Sequence, residues 1–161
     1  MTTVTIWVDD WQIQCCGEGF ARGDVVSWTL LEVDPEDFAD IVGGDRAAEI
    51  GFREEHHGDA DPPPARLKVL TATEVPCRIA LPPGADAYRP VPGTTELVPV
   101  EKAGGWAEPR QGVRFMGYLV TADRTVDGQR QAGSAMTRRQ ARFIRPRCPR
   151  SPSAAGRLAG I

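Results

Sequence analysis

From Leu67 to Leu81 the chain alternates. Odd positions (Leu67, Val69, Thr71, Thr73, Val75, Cys77, Ile79 and Leu81) are mostly apolar, while even positions include Lys68, Glu74 and Arg78. A period of two suits a strand with one buried face, because successive side chains point to opposite faces. The pattern predicts a half-buried strand, or one bent at Pro76, since proline has no N–H to give a central ladder. The rest of the chain must be read in short pieces. Gly and Pro break it at Gly17–Gly23, Gly43–Gly44, Gly58–Pro64, Pro82–Gly93 and Ala103–Gly112, positions where turns interrupt regular structure.

Between those breaks, Val4 to Ile13 is apolar on both faces until Asp9-Asp10. It reads as a strand, a kink or bulge at the two aspartates, and a strand continuing toward Cys15. Asp24 to Val33 is dense in β-branched and aromatic residues and reads as a further strand. Thr94–Val100 and Val113–Thr121 supply two more. Asp34-Pro35-Glu36-Asp37 is a helix start: an Asx cap, proline at the first position, and acids facing the positive end of the dipole. Gly43-Gly44 ends that helix, and a second helical piece is expected from Asp45 to Glu55. No internal repeat is apparent.

Five or so strands without regular crossover helices predict a mainly β fold with an antiparallel sheet. A sheet this small escapes its edges most easily by curling, so we expect a small barrel-like sheet with one or two short helices. The expected division is a β-barrel-like domain over residues 1–127 and an Arg-rich, disordered C-terminal tail over residues 128–161.

Charge supports that division. Residues 1–127 hold all 22 acids and eleven bases, a net charge of −11. Residues 128–161 hold eight arginines and no acid, a net charge of +8. Such a tail is a solvated end, with weak, non-specific, salt-dependent nucleic-acid contact as its functional alternative. No apolar run reaches the roughly 18–20 residues of a membrane span. The opening residues have neither the basic start nor the long apolar stretch of an export signal, so a cytoplasmic protein with no membrane contact is expected. Four cysteines in 161 residues do not make a disulfide scaffold. Phosphate-binding glycine loops, His-Glu-x-x-His and Gly-x-Ser-x-Gly are absent, which weakens nucleotide, zinc-protease and serine-hydrolase readings.

Two adjacent pairs carry the candidate chemistry: Cys15-Cys16 and His56-His57, the latter the only histidines in the chain. Thiolate and imidazole are the preferred ligands of zinc, so Cys15, Cys16, His56 and His57 form the candidate metal set. Adjacent residues on a strand point apart, so one member of each pair, completed by Glu54, Glu55 or Asp59, is the realistic site. A second use of the same groups is a thiolate nucleophile with an imidazole partner oriented by one of those acids. Asp9, Asp10, Trp11 and Glu55 are candidate cleft residues, the two aspartates standing either at a bulge or facing a site. Trp7, Trp11 and Trp28 are expected in the core, with lining a cleft as the alternative for Trp11. Cys77 is expected in the core, and Trp106 is the expected exposed aromatic.

The block Trp7-Val8-Asp9-Asp10-Trp11-Gln12-Ile13-Gln14-Cys15-Cys16-Gly17-Glu18-Gly19-Phe20, followed by Gly23-Asp24-x-Val26-x-Trp28, resembles an uncharacterised family of small soluble proteins from high-GC Gram-positive bacteria, a domain of unknown function. Glu55-His56-His57-Gly58 and Met116-Gly117-Tyr118-Leu119-Val120 are similar to its later landmarks. The resemblance covers roughly residues 3–122 and implies no activity or cofactor; the Arg-rich end departs from it. The expected function is a binding or interaction module for a protein or small-molecule partner, with zinc as the cofactor to test. A thiol- or metal-dependent enzyme using Cys15 or Cys16 with His56 or His57 is the alternative, and nucleic-acid association through the tail a second one.

Overall fold

A computed structural model describes residues 2–15, 18–56, 62–104 and 111–125. All belong to one compact unit, Met1–Gly128. Cys16, His57, Asp59, Trp106, Cys148 and the Arg-rich segment fall outside the described residues.

The chain opens with β1 (Thr2–Asp9) and α1 (Asp10–Cys15), then β2 (Phe20–Ala21), β3 (Val25–Trp28) and β4 (Leu30–Glu32). A 3-10 turn (Pro35–Phe38) leads into α2 (Ala39–Val42) and α3 (Gly44–Ala47). The chain continues through β5 (Phe52–Glu54), β6 (Ala65–Ala80), β7 (Arg89–Pro90), β8 (Val98–Val100), β9 (Lys102–Ala103) and β10 (Val113–Arg124). The main sheet runs β3-β6-β10-β1-β5-β4, with β7 and β8 added to β6, while β2 and β9 pair separately. Only Thr29 separates β3 from β4, the two ends of that order, so the sheet curls into a half-barrel, as the short, mostly antiparallel strands predict. One pairing departs from expectation: β1 and β5 run parallel, while β5 pairs antiparallel with β4 on its other side.

β1 shows why its sequence is apolar on both sides. Ile6 and Val8 enter an interior core with Phe20, Trp28, Leu67, Val69, Tyr118 and Val120. Trp7 faces the opposite way into a second core, where Phe38, Ala47 and Ile50 from the helical segment cover Val75 and Leu119. The Trp7 and Phe38 rings lie 5.2 Å apart and tilted, an arrangement aromatic pairs favour. Asp34 caps the 3-10 turn through a 3.0 Å bond from the Glu36 amide, as the Asp-Pro start predicts.

The odd-numbered apolar run in β6 proves not to be a single face. Register shifts by one residue between Thr121 and Ala122, which pair with Thr71 and Val69. Leu67 and Val69 therefore face the interior core, whereas Val75 belongs to the helix-covered core. A second shift lies between Phe115 and Tyr118, opposite Pro76 and Glu74. Gly117 occupies it with φ +151°, and a Cβ there would stand 2.3 Å from the Val8 carbonyl oxygen and 3.1 Å from the Trp7 ring. Only glycine lets β10 approach β1 this closely.

Several expected elements are corrected. The strand expected to continue toward Cys15 is the helix α1. Even positions of β1 face the interior, so a continuing strand would drive Asp10 and Gln12 into an apolar core, which is costly for a carboxylate and an amide; helical turning instead leaves Asp10 beside Arg114, gives the buried Gln12 backbone partners and seats Ile13 in the interior core. Trp11, expected in the core, is 47% exposed on the outer side of that helix. The run 24–33 is broken at Thr29, because its two halves pair with different strands, β6 and β5. The helix expected over 45–55 stops after α3, since Phe52–Glu54 is taken up between β1 and β4. Of 94–100, only Val98–Val100 is strand, as Thr94 instead accepts from the Arg78 amide and donates to the Val91 carbonyl.

Candidate functional site

β1 ends at Asp9, whose Oδ1 accepts a 2.8 Å bond from the Trp7 indole N–H. Its Oδ2 lies 4.0 Å from Arg53 Nε, and the Arg53 guanidinium also reaches Glu55 at 3.3 Å. Asp10, the first residue of α1, lies 3.7 Å from Arg114 on β10. Burial raises the Asp10 pKa above its ordinary value, the Trp11 amide and Arg114 opposing that shift. Asp9, Asp10 and Glu55 thus form a charged seam around Arg53 and Arg114.

The polar centre lies one turn further on. Gln12 is fully buried and bridges two elements: its Nε2 donates to the Glu54 carbonyl at 2.9 Å, and its Oε1 accepts from the His56 amide at 2.7 Å. An amide side chain offers both a donor and an acceptor, so one residue fastens α1 to the end of β5. The Glu54 side chain is 1% exposed. Period two along β5 turns it inward with Phe52, and its Oε1 engages Nδ1 of His56. Its other oxygen, Oε2, has no hydrogen-bond partner among the described residues. The His56 side chain is one quarter exposed. The bond to Glu54 raises the imidazole pKa above 6.5, with burial opposing and Glu55 and Glu18 reinforcing. The imidazolium is therefore favoured, with Nδ1 turned toward Glu54.

His56 lines an open groove of about 450 Å³, together with Glu18, Gly19, Val25, Val26, Ser27 and Trp28. Trp28 is almost wholly buried and presents an aromatic edge, held by a T-shaped contact with Phe20 at 5.0 Å. Val25 is an exposed wall. Below, the Tyr118 hydroxyl donates to the Gly104 carbonyl at 2.9 Å and accepts from the Gly104 amide at 3.1 Å. That tie holds the chain after β9 against the interior core, and burial raises the Tyr118 pKa.

The sequence-predicted residues are therefore distributed unevenly. Glu54, one of three acids considered as the imidazole's partner, is that partner, while Glu55 pairs with Arg53. Cys15 is exposed at the end of α1, three residues from the Gln12 bridge. No cluster of three or more His, Cys, Asp and Glu side chains among the described residues is arranged to hold a metal; two members of the candidate set, Cys16 and His57, lie outside them. Cys77 is fully buried, as the alternation predicts. Gln12 was missed by the sequence reading. Its one signal is a polar residue at a position the strand pattern would turn inward.

A family model described as a family of unknown function (DUF6578) matches residues 2–124, and the chain belongs to that family. No curated protein and no solved structure matches the chain. No helix among the described residues is long and apolar enough to cross a membrane.

Proposed function

We propose that the domain is a binding module whose working group is the His56 imidazole at the rim of the groove beside β3. The observation that carries this reading is the buried Glu54 carboxylate holding Nδ1 of a histidine that lines a cleft. Burying a carboxylate costs several kcal/mol unless partners compensate it, and one oxygen of Glu54 is unmatched among the described residues. A fold needing only stability would place an apolar side chain there. A cleft group with a perturbed pKa and a specific charge partner is the pattern of a functional site. In this arrangement Nε2–H donates to an acceptor on the partner, the Glu18 carboxylate receives a donor, and Val25 and the Trp28 edge bury its apolar part. The fitting class is a small polar molecule or peptide segment carrying both an acceptor and an amine.

The test is a fragment set of amino acid amides, followed by amide-resolved NMR. Shifts should gather on Val25–Trp28 and His56, and His56→Ala should abolish them. Shifts gathering elsewhere, or surviving in His56→Ala, would overturn the reading.

A second reading adds a metal to the same rim, drawing on Cys15, Cys16, His56 and His57. What favours it is the Gln12 bridge, which fastens the helix bearing Cys15 to the residue bearing the imidazole. A carboxylate on the far nitrogen of a histidine is also how metal-bound imidazoles are commonly oriented. On this reading freshly purified protein should contain about one equivalent of zinc and lose thermal stability in chelator. Metal-free protein with an unchanged melting temperature removes this reading and leaves the groove intact.

A further inference from the structure

A second cleft opens where the start of β1, the end of β10 and the start of β6 meet. One part, about 500 Å³, is lined by Thr2, Val4, Phe52, Arg66 and Arg124, among others. An adjoining part of about 340 Å³ extends over Leu30 and Leu31 to Glu32. The two share Phe52, Pro63, Ala65 and Arg124 and form one continuous depression, of a size typical for small-molecule sites. Its floor is apolar: Val4 and Phe52 are the partly buried fringe of the interior core. The proline run before β6 forms a stiff wall, because each ring fixes its own backbone.

The rim is cationic within an acidic domain. Residues 1–127 carry a net charge of −11, yet the two cations at this cleft have no acid partner among the described residues. Neither Arg66 nor Arg124 forms an ion pair among the described residues, a property they share with Arg78 and Arg89, whereas Arg22, Arg46, Arg53 and Arg114 are paired. Glu32, the acid lining the adjoining part, pairs with neither. Register places the two residues side by side at this end of the sheet: Arg124 pairs with Leu67, and the Thr125 amide donates to the Arg66 carbonyl at 3.1 Å; both line the cleft, Arg66 leaving the strand from the outer face because its neighbour Leu67 turns inward. Arg124 shares the inward parity of Leu67, which turns its side chain over the apolar floor.

The geometry points to a site for an amphiphilic carboxylate, a small molecule with an anionic head and an apolar body. The planar fork of Arg124 matches a carboxylate's two oxygens, and Arg66 adds a second positive charge at the rim. Phe52, Val4 and the prolines receive the apolar body. This site is separate from the His56 groove, with which it shares no lining residue.

Octanoate is the probe, with octanol (same body, no charge) and acetate (same head, no body) as its controls. In amide-resolved NMR titration octanoate should shift Thr2, Phe52, Ala65 and Thr125 saturably. Octanol should bind at least about ten-fold more weakly, the scale of one charge-assisted hydrogen bond, and acetate should not saturate. Arg124→Gln should weaken octanoate about ten-fold and Arg66→Gln by a smaller factor, with unchanged melting temperatures because both side chains are exposed. His56→Ala should leave octanoate binding as it is. Equal binding of octanol, undiminished binding in Arg124→Gln, or shifts confined to other residues would overturn the assignment.

Discussion

Replacing Gln12 with methionine tests whether one buried amide holds the candidate site together. The side chain keeps its approximate length, so packing beside Ile13 changes little. What is lost is the bridge from α1 to β5. The Glu54 carbonyl belongs to a residue that is 1% exposed, and orphaning such a group costs about 1–3 kcal/mol. The His56 amide lies at the open end, where water replaces part of the lost bond, adding up to about 1 kcal/mol. Greater burial of apolar surface returns about 1 kcal/mol. The net expectation is a loss of roughly 1.5 kcal/mol. In a domain of this size each kcal/mol moves the melting temperature by roughly 3–5 °C, so calorimetry should show a drop of about 5–8 °C. Gln14→Ala, exposed on the same helix, controls for helix propensity and should stay within about 0.5 kcal/mol of the parent. If Gln12→Met melts together with Gln14→Ala, the bridge is not what fastens α1 to the site, and the common neighbourhood of Cys15 and His56 loses its physical basis.

Two further outcomes follow from the same geometry. Gly117→Ala should be severely destabilising, because its Cβ would meet the Val8 carbonyl oxygen at 2.3 Å with φ at +151°; backbone strain and overpacking together amount to about 3 kcal/mol or more, and urea unfolding that shows less than about 1 kcal/mol would contradict the bulge argument. For His56, the folded state holds its proton more tightly than the unfolded chain, chiefly through Glu54. The pair's stabilisation is therefore fully present below pH 6.5 and is lost as pH rises through the higher folded-state value. Glu54→Gln should lower the imidazole pKa, followed by NMR in a His57→Gln background with a single histidine, and should flatten that part of the stability profile; an unchanged titration would show that Glu54 does not control the imidazole.

How much of this was legible in the sequence depends on which interactions are periodic. The strand Leu67–Leu81, the Asp-Pro helix start and the burial of Trp7, Trp28 and Cys77 follow from local pattern and cap chemistry, and the half-barrel follows from many short strands. The bulges do not, because inserting one residue in one strand changes which face a partner buries without changing either strand's composition. That is why an unbroken alternation in β6 serves two cores. The shift of α1 from strand to helix is similar: the cost of turning Asp10 and Gln12 inward is set by β10 and β5, far away in the chain. The site itself was half visible. Histidine beside acids drew attention to the right segment, and three acids were equivalent on paper. What separates them is parity, since Phe52 pairs with Ile6 and so turns Glu54 inward and Glu55 toward Arg53. Gln12 carried no chemical flag at all, being neither titratable nor nucleophilic. Its role exists only because β5 runs parallel to β1, which delivers the Glu54 carbonyl and the His56 amide to the end where α1 begins. The most informative residue of the candidate site is thus one whose meaning is entirely topological, and the Gln12→Met experiment is accordingly a test of the fold and the site at once.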